Sequence, residues 1–448
     1  MIIKLPKDVQ LILSELNNAG YKAYVVGGCI RDRLLGLRPK DWDVTTNATP
    51  KQMMKVFKGY KIIPTGIKHG TITVMINNEG YEITTFRAES EYDEHRRPEK
   101  VVFIDDIKED LARRDFTINA IAYHPEEGLI DPFNGAEDLV LKKIKTVRRF
   151  GEEINARFIE DPLRAFRAFR FAARYGFEIC SGTLIAIESL EKEDFKCLSK
   201  ERIRDEISKI ILHNPLMLDR MSFNMLDVAF PDLIYNLYVK QNHPYHIYNV
   251  YVHTIKAVME CYDSLELRLA ALLHDVGKRD TKTVDDSGIT HFYGHPKKSA
   301  EMAEKYLKEL RYDNKTVEKI VTAIKYHDCE LNSKKAIKRI ISRIGIENFE
   351  LLLDLKTVDI LAQNPKYKKE RMCQLWDAVE ILNEIRRNNE CIGLKDLAIK
   401  GGDLIKLGMK EGPEIGQMLF KLLDKVLENP ELNNKDDLIK LYNELKDL

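Results

Sequence analysis

The sequence has no surplus of charge. Its 71 lysines and arginines are matched by 71 aspartates and glutamates, so the formal net charge is zero. That excludes a blanket polycation, and any affinity for nucleic acid has to come from local basic faces. No stretch approaches the ~18 consecutive apolar residues of a bilayer-crossing helix, and there is no fixed-period repeat or low-complexity linker. The seven cysteines (Cys29, Cys180, Cys197, Cys261, Cys329, Cys373 and Cys391) include no Cys-x-x-Cys pair. This spacing indicates neither a disulfide framework nor a zinc ribbon, and the odd count suits a reducing compartment. The opening MIIKLPKDVQLILSEL alternates charge with apolar residues, unlike a secretory signal. What is present is an ordinary 44% of hydrophobic residues and a somewhat high 32% of charged ones over 448 residues. The length is about three times a ~150-residue domain, so a soluble, cytoplasmic, multidomain protein is expected, with no membrane partner.

Texture changes along the chain. Residues 1 to about 150 mix helix and strand: Tyr24-Val25-Val26 reads as a strand, and Thr71 to Ile76 with Tyr81 to Phe86 read as a hairpin around Asn77-Asn78-Glu79-Gly80. From there to about 235 the apolar residues recur at three and four, a helical pattern. Residues 240 to about 360 are helical and rich in histidine, and the remainder is helical, Lys/Glu-rich and punctuated by glycines.

The first chemical signal is Val25-Val26-Gly27-Gly28-Cys29-Ile30-Arg31-Asp32-Arg33-Leu34-Leu35-Gly36. A short strand runs into paired glycines and a helix closed by Gly36. Paired glycines allow a phosphate close to the backbone, and Arg31 can aim its fork at the same phosphates. About ten residues on, Asp41-Trp42-Asp43-Val44-Thr45-Thr46 reads as a strand whose alternation puts both carboxylates on one face. Two such carboxylates repel unless a cation lies between them, and oxygen ligands of this kind suit Mg²⁺ bridged to phosphates.

Gly-Gly-x-x-Arg-Asp-x-Leu-Leu-Gly followed by Asp-x-Asp resembles the signature of the polymerase-β-like nucleotidyltransferases. More narrowly, it resembles the class II tRNA nucleotidyltransferases (CCA-adding enzymes) and bacterial poly(A) polymerases. Arg113-Arg114-Asp115-Phe116-Thr117-Ile118-Asn119-Ala120 is similar to their ribose-facing motif, and Asp131-Pro132-Phe133-Asn134-Gly135 with Asp138-Leu139 to the element joining head to neck. The resemblance implies an α/β polymerase-β-like nucleotidyltransferase head followed by an all-α neck, an HD domain and a body/tail, elongated and multidomain. The corresponding segments are 1–150, 151–238, 239–362 and 363–448. It also implies two-metal catalysis by Asp41 and Asp43, with Gly27, Gly28, Arg31, Arg114, Asp115 and Asn119 on the nucleotide.

Glu160-Asp161-Pro162-Leu163-Arg164-Ala165-Phe166-Arg167-Ala168-Phe169-Arg170 reads as a helix start, with Asp161 as cap and Pro162 at the first helical position. Arg164, Arg167 and Arg170 form a basic stripe. Adenine and cytosine each present an amine donor beside a ring-nitrogen acceptor, which a carboxylate and a guanidinium can pair. Guanine and uracil present the reverse and leave both protein groups badly paired. Asp161 and Arg164, three apart, can supply that pair, with Glu160 holding the guanidinium. In the resembling family Glu-Asp-x-x-Arg has this role and the next two arginines contact the nucleotide, so the partners implied are CTP, ATP and tRNA. The charged segment from Glu89 to Lys100 reads as a loop. Enzymes of the family that add the final A carry one here, which implies complete CCA synthesis.

His253, His274-Asp275-Val276-Gly277-Lys278, His295, His327-Asp328 and Asp359 form a second set. Imidazoles and carboxylates brought together from several helices are typical of transition-metal sites. Their order resembles the HD phosphohydrolases, which implies a divalent metal on His253, His274, Asp275, His295, His327 and Asp359, and hydrolysis of phosphomonoesters or phosphodiesters. Asn364-Pro365-Lys366-Tyr367-Lys368-Lys369-Glu370-Arg371 is basic with an interleaved aromatic and suits phosphate contacts. Gly401-Gly402-Asp403 and Gly412-Pro413-Glu414 resemble the body/tail segment that grips tRNA. A poly(A) polymerase of the same family is the alternative, and a phosphohydrolase with a nucleotide-binding head is the alternative of another class.

Overall fold

Four consecutive buried residues, Ala23–Val26, form β1, around which the first half of the chain is organised. The structure, a computed structural model, describes residues 2–89 and 101–446; the charged segment expected to be a loop falls almost wholly outside them. The chain divides into two compact units, Met1–Ala229 and Phe230–Leu448.

In the first unit β1 joins β2 (Val44–Thr46), β3 (Lys61–Gly66), β4 (Thr71–Ile76) and β5 (Glu79–Thr85). A short pair beside them comprises β6 (Arg87–Glu89) and β7 (Val101–Phe103), and β8 (Ala122–His124) and β9 (Gly128–Ile130) complete the main sheet. Its order is β3-β4-β5-β2-β1-β8-β9. The β2–β5 pair is parallel and the other neighbours are antiparallel. Enclosed between β2 and β8, β1 reads as an unbroken apolar run rather than an alternation. The helix Lys7–Asn18 lays Val9, Ile12, Leu13 and Leu16 on the core, the i, i+3, i+4, i+7 stripe of an amphipathic helix.

Two expectations change here. The β4–β5 turn is two residues rather than four, with Ile76 opposite Glu79. Asn77 and Asn78 both take positive φ, 50° and 67°, the type I′ geometry that matches strand twist and that asparagine tolerates. And β2 begins only at Val44, so Asp41 and Asp43 precede the strand, although the Asp43 carbonyl still accepts the Val26 N–H at 3.0 Å.

Helix Leu163–Tyr175 packs against Lys200–His213 and buries Phe166, Phe169 and Phe171. It starts one residue later than expected. Pro162 is its N-cap, and Asp161 is extended (φ −144°, ψ 95°) between it and the preceding helix Ala156–Glu160.

The second unit is helical apart from the two-residue strands Thr283–Val284 and Thr290–His291. Asn249, Ser264, Asp313, Ser333 and Asn364 each accept a backbone N–H at the start of a helix, a cap worth roughly 0.5–2 kcal/mol. Helices Lys334–Ile344, Ile346–Leu361 and Pro365–Arg387 share one core, while Gly401–Lys406, Pro413–Glu428 and Lys435–Lys446 build another around Leu404, Leu422 and Leu438. Among the described residues no helix is long and apolar enough to cross a membrane.

Candidate active site

The head site begins where β1 ends. Gly27 has φ +80°, and a Cβ there would lie 2.8 Å from Arg114 Nη1, so only glycine fits both the turn and the neighbour. Gly135 is as constrained: a Cβ would meet the Thr117 carbonyl oxygen at 2.1 Å, which ties the 131–139 element closely to the 113–120 motif. Asp43 is half-buried beside the Gly27 turn. Burial, with the Asp41 carboxylate adding to it, pushes the Asp43 carboxyl up to about 6; Arg114 opposes this and Glu82 reinforces it. Asp41 is exposed. A carboxylate pair that resists full ionisation is what a divalent cation relieves.

Arg31 is buried. Its Nε and Nη2 donate to Asp32 Oδ1 at 2.9 and 2.7 Å, and its Nη1 donates to Asn119 Oδ1 at 2.6 Å. The rings of Phe171 and Tyr175 lie 5.2 and 4.9 Å from its guanidinium carbon, and the Tyr175 hydroxyl donates to Asp32 at 3.0 Å. Asn119 Nδ2 donates in turn to Asp115 Oδ1 at 3.0 Å, and Arg167 Nε and Nη2 approach Asp115 Oδ2 at 2.8 and 2.7 Å. The network Tyr175–Asp32–Arg31–Asn119–Asp115–Arg167 thus starts and ends on one helix. Arg113 and Arg114 are held by Asp110, which has no exposed surface. These two guanidinium groups outweigh its burial and keep its carboxyl below the usual range.

Asp115 lends itself to a pH test. Burial alone would raise it, yet Arg167, Asn119 and Arg164 bring its carboxyl down to about 2 from 3.8. The ionised form is therefore favoured by folding. Its contribution, roughly 2 kcal/mol, is complete above about pH 4 and is lost as pH falls through 2. Acid unfolding followed by circular dichroism is expected to show Asp115→Asn destabilised at pH 7, with the gap to the wild type closing toward pH 2.

In the neck, Arg164 is buried and fixed by Glu160 (2.8 Å) and by the carbonyls of Arg157 and Arg113 (3.0 Å each). Asp161 is not on a helical face with it. Its carboxylate accepts the Leu163 N–H at 3.2 Å and pairs with the half-exposed Arg202 at 3.0 Å. The arginine stripe is not a solvated one, because Arg170 is engaged by the buried Glu206 at 2.5 Å.

In the second unit the six expected residues come together. His253 Nε2 is 2.9 Å from Asp359 Oδ1, and His274 Nε2 is 3.2 Å from Asp275 Oδ2. His295 and His327 Nε2 are 3.2 Å apart and lie 3.4 and 3.7 Å from Asp275 Oδ1. The Nδ1 atoms of His274, His295 and His327 each face a carbonyl three residues back at 2.7–2.8 Å. A carbonyl can only accept, so Nδ1 carries a proton and Nε2 is the nitrogen turned into the cluster, the orientation of a metal-ligating histidine. His274 Nε2 and both Asp275 oxygens are buried without an aligned hydrogen bond, although Lys278 Nζ stands 2.8 Å from Asp275 Oδ2. Burial would lower His274, but Asp275 and Asp359 outweigh it and push it up to about 10. His253, His274 and Asp359, and His274, Asp275 and His327, each place ligand atoms within 4.8 Å of one another.

With this geometry in hand, a family model described as the poly A polymerase head domain matches residues 23–145, and one described as tRNA nucleotidyltransferase domain 2 (putative) matches 284–441. The CCA-adding enzyme of Leuconostoc citreum is 32% identical over 451 residues, covering 100% of this chain and 98% of its own. The chain belongs to the CCA-adding enzyme family. It is therefore a tRNA nucleotidyltransferase. The structure of the Bacillus stearothermophilus CCA-adding enzyme in complex with CTP matches 99% of this chain and 100% of its own, with a TM-score of 0.68 at 24% identity. The Thermotoga maritima CCA-adding enzyme complexed with tRNA matches 99% and 96%, with a TM-score of 0.59 at 22% identity. At these identities the likeness is one of fold: a mixed-sheet head followed by helices.

For a CCA-adding enzyme, several residues around the site were not anticipated. Asp32 and Tyr175, 143 positions apart, meet only through the fold. Glu206 is likewise a distant partner. Asp110 left a local trace, since it stands three and four residues before Arg113 and Arg114, the spacing of helical ion pairs. Glu82 carried no local signal. It is next to Ile83, which pairs with Val44 across β2 and β5, and this brings it near Asp43.

Proposed function

We propose that the chain adds cytidine and adenosine to the 3′ end of tRNA from CTP and ATP, releasing pyrophosphate and completing CCA without a nucleic-acid template. The observation that carries this reading is the carboxylate pair Asp41 and Asp43 beside the Arg31–Asn119–Asp115 network, in a chain whose relatives match it end to end. Asp41 and Asp43 would hold Mg²⁺. In a two-metal arrangement the ions supply activation of the terminal 3′-hydroxyl and neutralisation of the leaving pyrophosphate. Gly27, Gly28 and Arg31 receive the triphosphate; Arg114, Asp115 and Asn119 lie toward the ribose. Arg167, one third exposed, remains accessible to the nucleotide, and Arg170, held on Glu206, supports that face.

Selection of A and C falls to Asp161 and Arg164. Arg164 is held in one orientation by Glu160 and two carbonyls, so its guanidinium is set in place without reorganising. The Asp161–Arg202 pair is partly solvated and worth little, so Asp161 can exchange it for an exocyclic amine. Asp161→Ala is expected to erode the preference for CTP and ATP over GTP and UTP by about 10²-fold, a few kcal/mol. Competition between labelled nucleotides checks this, and unchanged discrimination would remove Asp161 from the role.

The functional division is a head at 1–150, a neck at 151–238, an HD segment at 239–362 and a tRNA-binding body at 363–448, working in the cytoplasm where tRNA is matured. Incubation with tRNA lacking its 3′ end, CTP and ATP, followed by sequencing of the product, tests the whole reading. Three added nucleotides support it, whereas a long adenosine tract would make the chain a poly(A) polymerase.

The convergence of His253, His274 and Asp359, and of His274, Asp275 and His327, with ligand atoms within 4.8 Å of one another favours a second activity, an HD-type phosphohydrolase. His253, His274, Asp275, His295, His327 and Asp359 would hold a divalent transition metal, which supplies Lewis-acid polarisation of a phosphoester and an activated water.

A further inference from the structure

Arg157 is buried on the helix Ala156–Glu160, and the chemistry of nucleotidyl transfer does not call for it. Its Nη1 donates to both oxygens of Glu160 at 2.9 Å. Its Nη2 donates to both oxygens of Glu152, at 2.8 and 3.1 Å. One guanidinium fork thus spans two carboxylates. Glu160 Oε2 also accepts Arg164 Nη1 at 2.8 Å, and the Arg157 carbonyl accepts the same nitrogen at 3.0 Å. Arg157 therefore holds Arg164 twice, once through its own backbone and once through Glu160. Glu152 is fastened in its turn. It accepts the Arg149 N–H at 2.9 Å, and Arg149 Nη2 donates to Glu109 at 2.8 Å. Glu109 lies on the helix Ile107–Ala112 beside Asp110, the anchor of Arg113. The Arg113 carbonyl accepts Arg164 Nη2 at 3.0 Å. The chain Glu109–Arg149–Glu152–Arg157–Glu160–Arg164 leaves that helix and returns to the residue at its end.

A buried ion pair is weak support for stability, since apolar packing of the same volume often does as well. A planar fork with fixed donors is, by contrast, suited to hold two acceptors in one geometry. A glutamate left to itself samples many rotamers, and a mobile Glu160 would let Arg164 turn with it. We propose that Arg157 is a positioning residue for nucleotide selection: it fixes Glu160, and through Glu160 the plane of the Arg164 guanidinium, with Glu152 as the anchor on its other nitrogen. The proposal rests on the reading that Asp161 and Arg164 select A and C. Arg157 itself touches no nucleotide, and its effect is on the sharpness of the choice.

Single-nucleotide addition by the full-length protein tests this, with CTP against UTP on tRNA lacking its 3′ end and ATP against GTP on tRNA ending in CC. Arg157→Met is expected to lower both kcat/KM ratios about tenfold, the effect of one charge-assisted hydrogen bond, and to do so more through KM for the correct nucleotide than through kcat. Glu160→Gln is expected to give the same loss. The double variant Arg157→Met/Glu160→Gln is expected to lose no more than either alone, because both changes break one link. Arg157→Lys keeps the charge, but its single ammonium cannot span both carboxylates, so it is expected to recover part of the discrimination. Removing a buried cation alone can unfold the neck. Glu152→Gln/Arg157→Gln withdraws one charge of each sign, keeps the balance of charge, and is expected to melt near the wild type by circular dichroism while losing the same tenfold. Unchanged discrimination in this folded variant, or losses that multiply in Arg157→Met/Glu160→Gln, overturns the positioning role. If Asp161→Ala loses discrimination in the same assay, the base-reading assignment survives that failure. If Asp161→Ala and Arg164→Lys both keep wild-type discrimination, the base-reading assignment and the positioning role fall together.

Discussion

Asp43→Asn is expected to abolish nucleotidyl transfer while leaving the fold intact, with kcat falling by about 10³-fold or more. Loss of a cation ligand removes several kcal/mol of charge stabilisation from the transferring phosphoryl group. The substitution is nearly isosteric and removes a charge that folding disfavours, since burial and Asp41 push Asp43 up to about 6. Thermal stability is therefore expected to stay level or rise, and this distinguishes a lost ligand from a damaged core. The raised value also fixes a pH dependence. Below about pH 6 a proton competes with the cation for Asp43, so the Mg²⁺ concentration that gives half-maximal rate is expected to climb as pH drops from 7 to 5. Primer extension on tRNA lacking its terminal nucleotides, run across a Mg²⁺ series at each pH, measures both effects. A rate that persists in Asp43→Asn would move the chemistry away from this carboxylate pair.

The second large effect is expected in the other unit. The double variant His274→Ala/Asp275→Ala removes an imidazole and a carboxylate from the centre of the buried cluster. Bound metal, measured by plasma emission spectrometry after dialysis, is expected to fall to background, and phosphoester hydrolysis by more than about 10²-fold. CCA synthesis is expected to continue at its wild-type rate, because the head residues lie in a different compact unit. A cation bound at about a hundred times its Kd stabilises by roughly 2.7 kcal/mol, or about 5–10 °C for a unit of some 200 residues. Chelation is thus expected to lower the unfolding temperature of the wild type by that amount and to leave the double variant unmoved. Equal shifts in both would mean that the cluster is an internal polar network rather than a metal site.

What could be read from the sequence was local. The Gly27-Gly28 turn, the Asp-x-Asp spacing of 41 and 43, the hairpin strands and the capped helices all rest on residues within a few positions of one another, where periodicity and turn chemistry operate. The histidines could be nominated as a set, but only the packing of helix Val250–Met259 on helix Ile346–Leu361 brings His253 to Asp359 across 106 positions. The residues that escaped were those whose partners come from elsewhere: Asp32 with Tyr175, Glu206 with Arg170, Glu82 with Asp43. Asp161 shows a different limit. Helical spacing placed it beside Arg164, whereas the proline that follows disfavours helical φ/ψ in the residue before it, and this turns Asp161 out of the helix and toward Arg202.

The network that leaves helix Leu163–Tyr175 at Arg167 and returns to it at Tyr175 has a consequence for how this protein can vary. Each residue added to an α-helix turns everything beyond it by about 100° and advances it by about 1.5 Å. An insertion or deletion between Arg167 and Phe171 would swing the ring clasp away from Arg31 while Arg167 stayed on Asp115. Point changes on the outer side of this helix can drift freely; its length cannot, because the helix sets the spacing between the arginine that holds Asp115 and the rings that clasp Arg31.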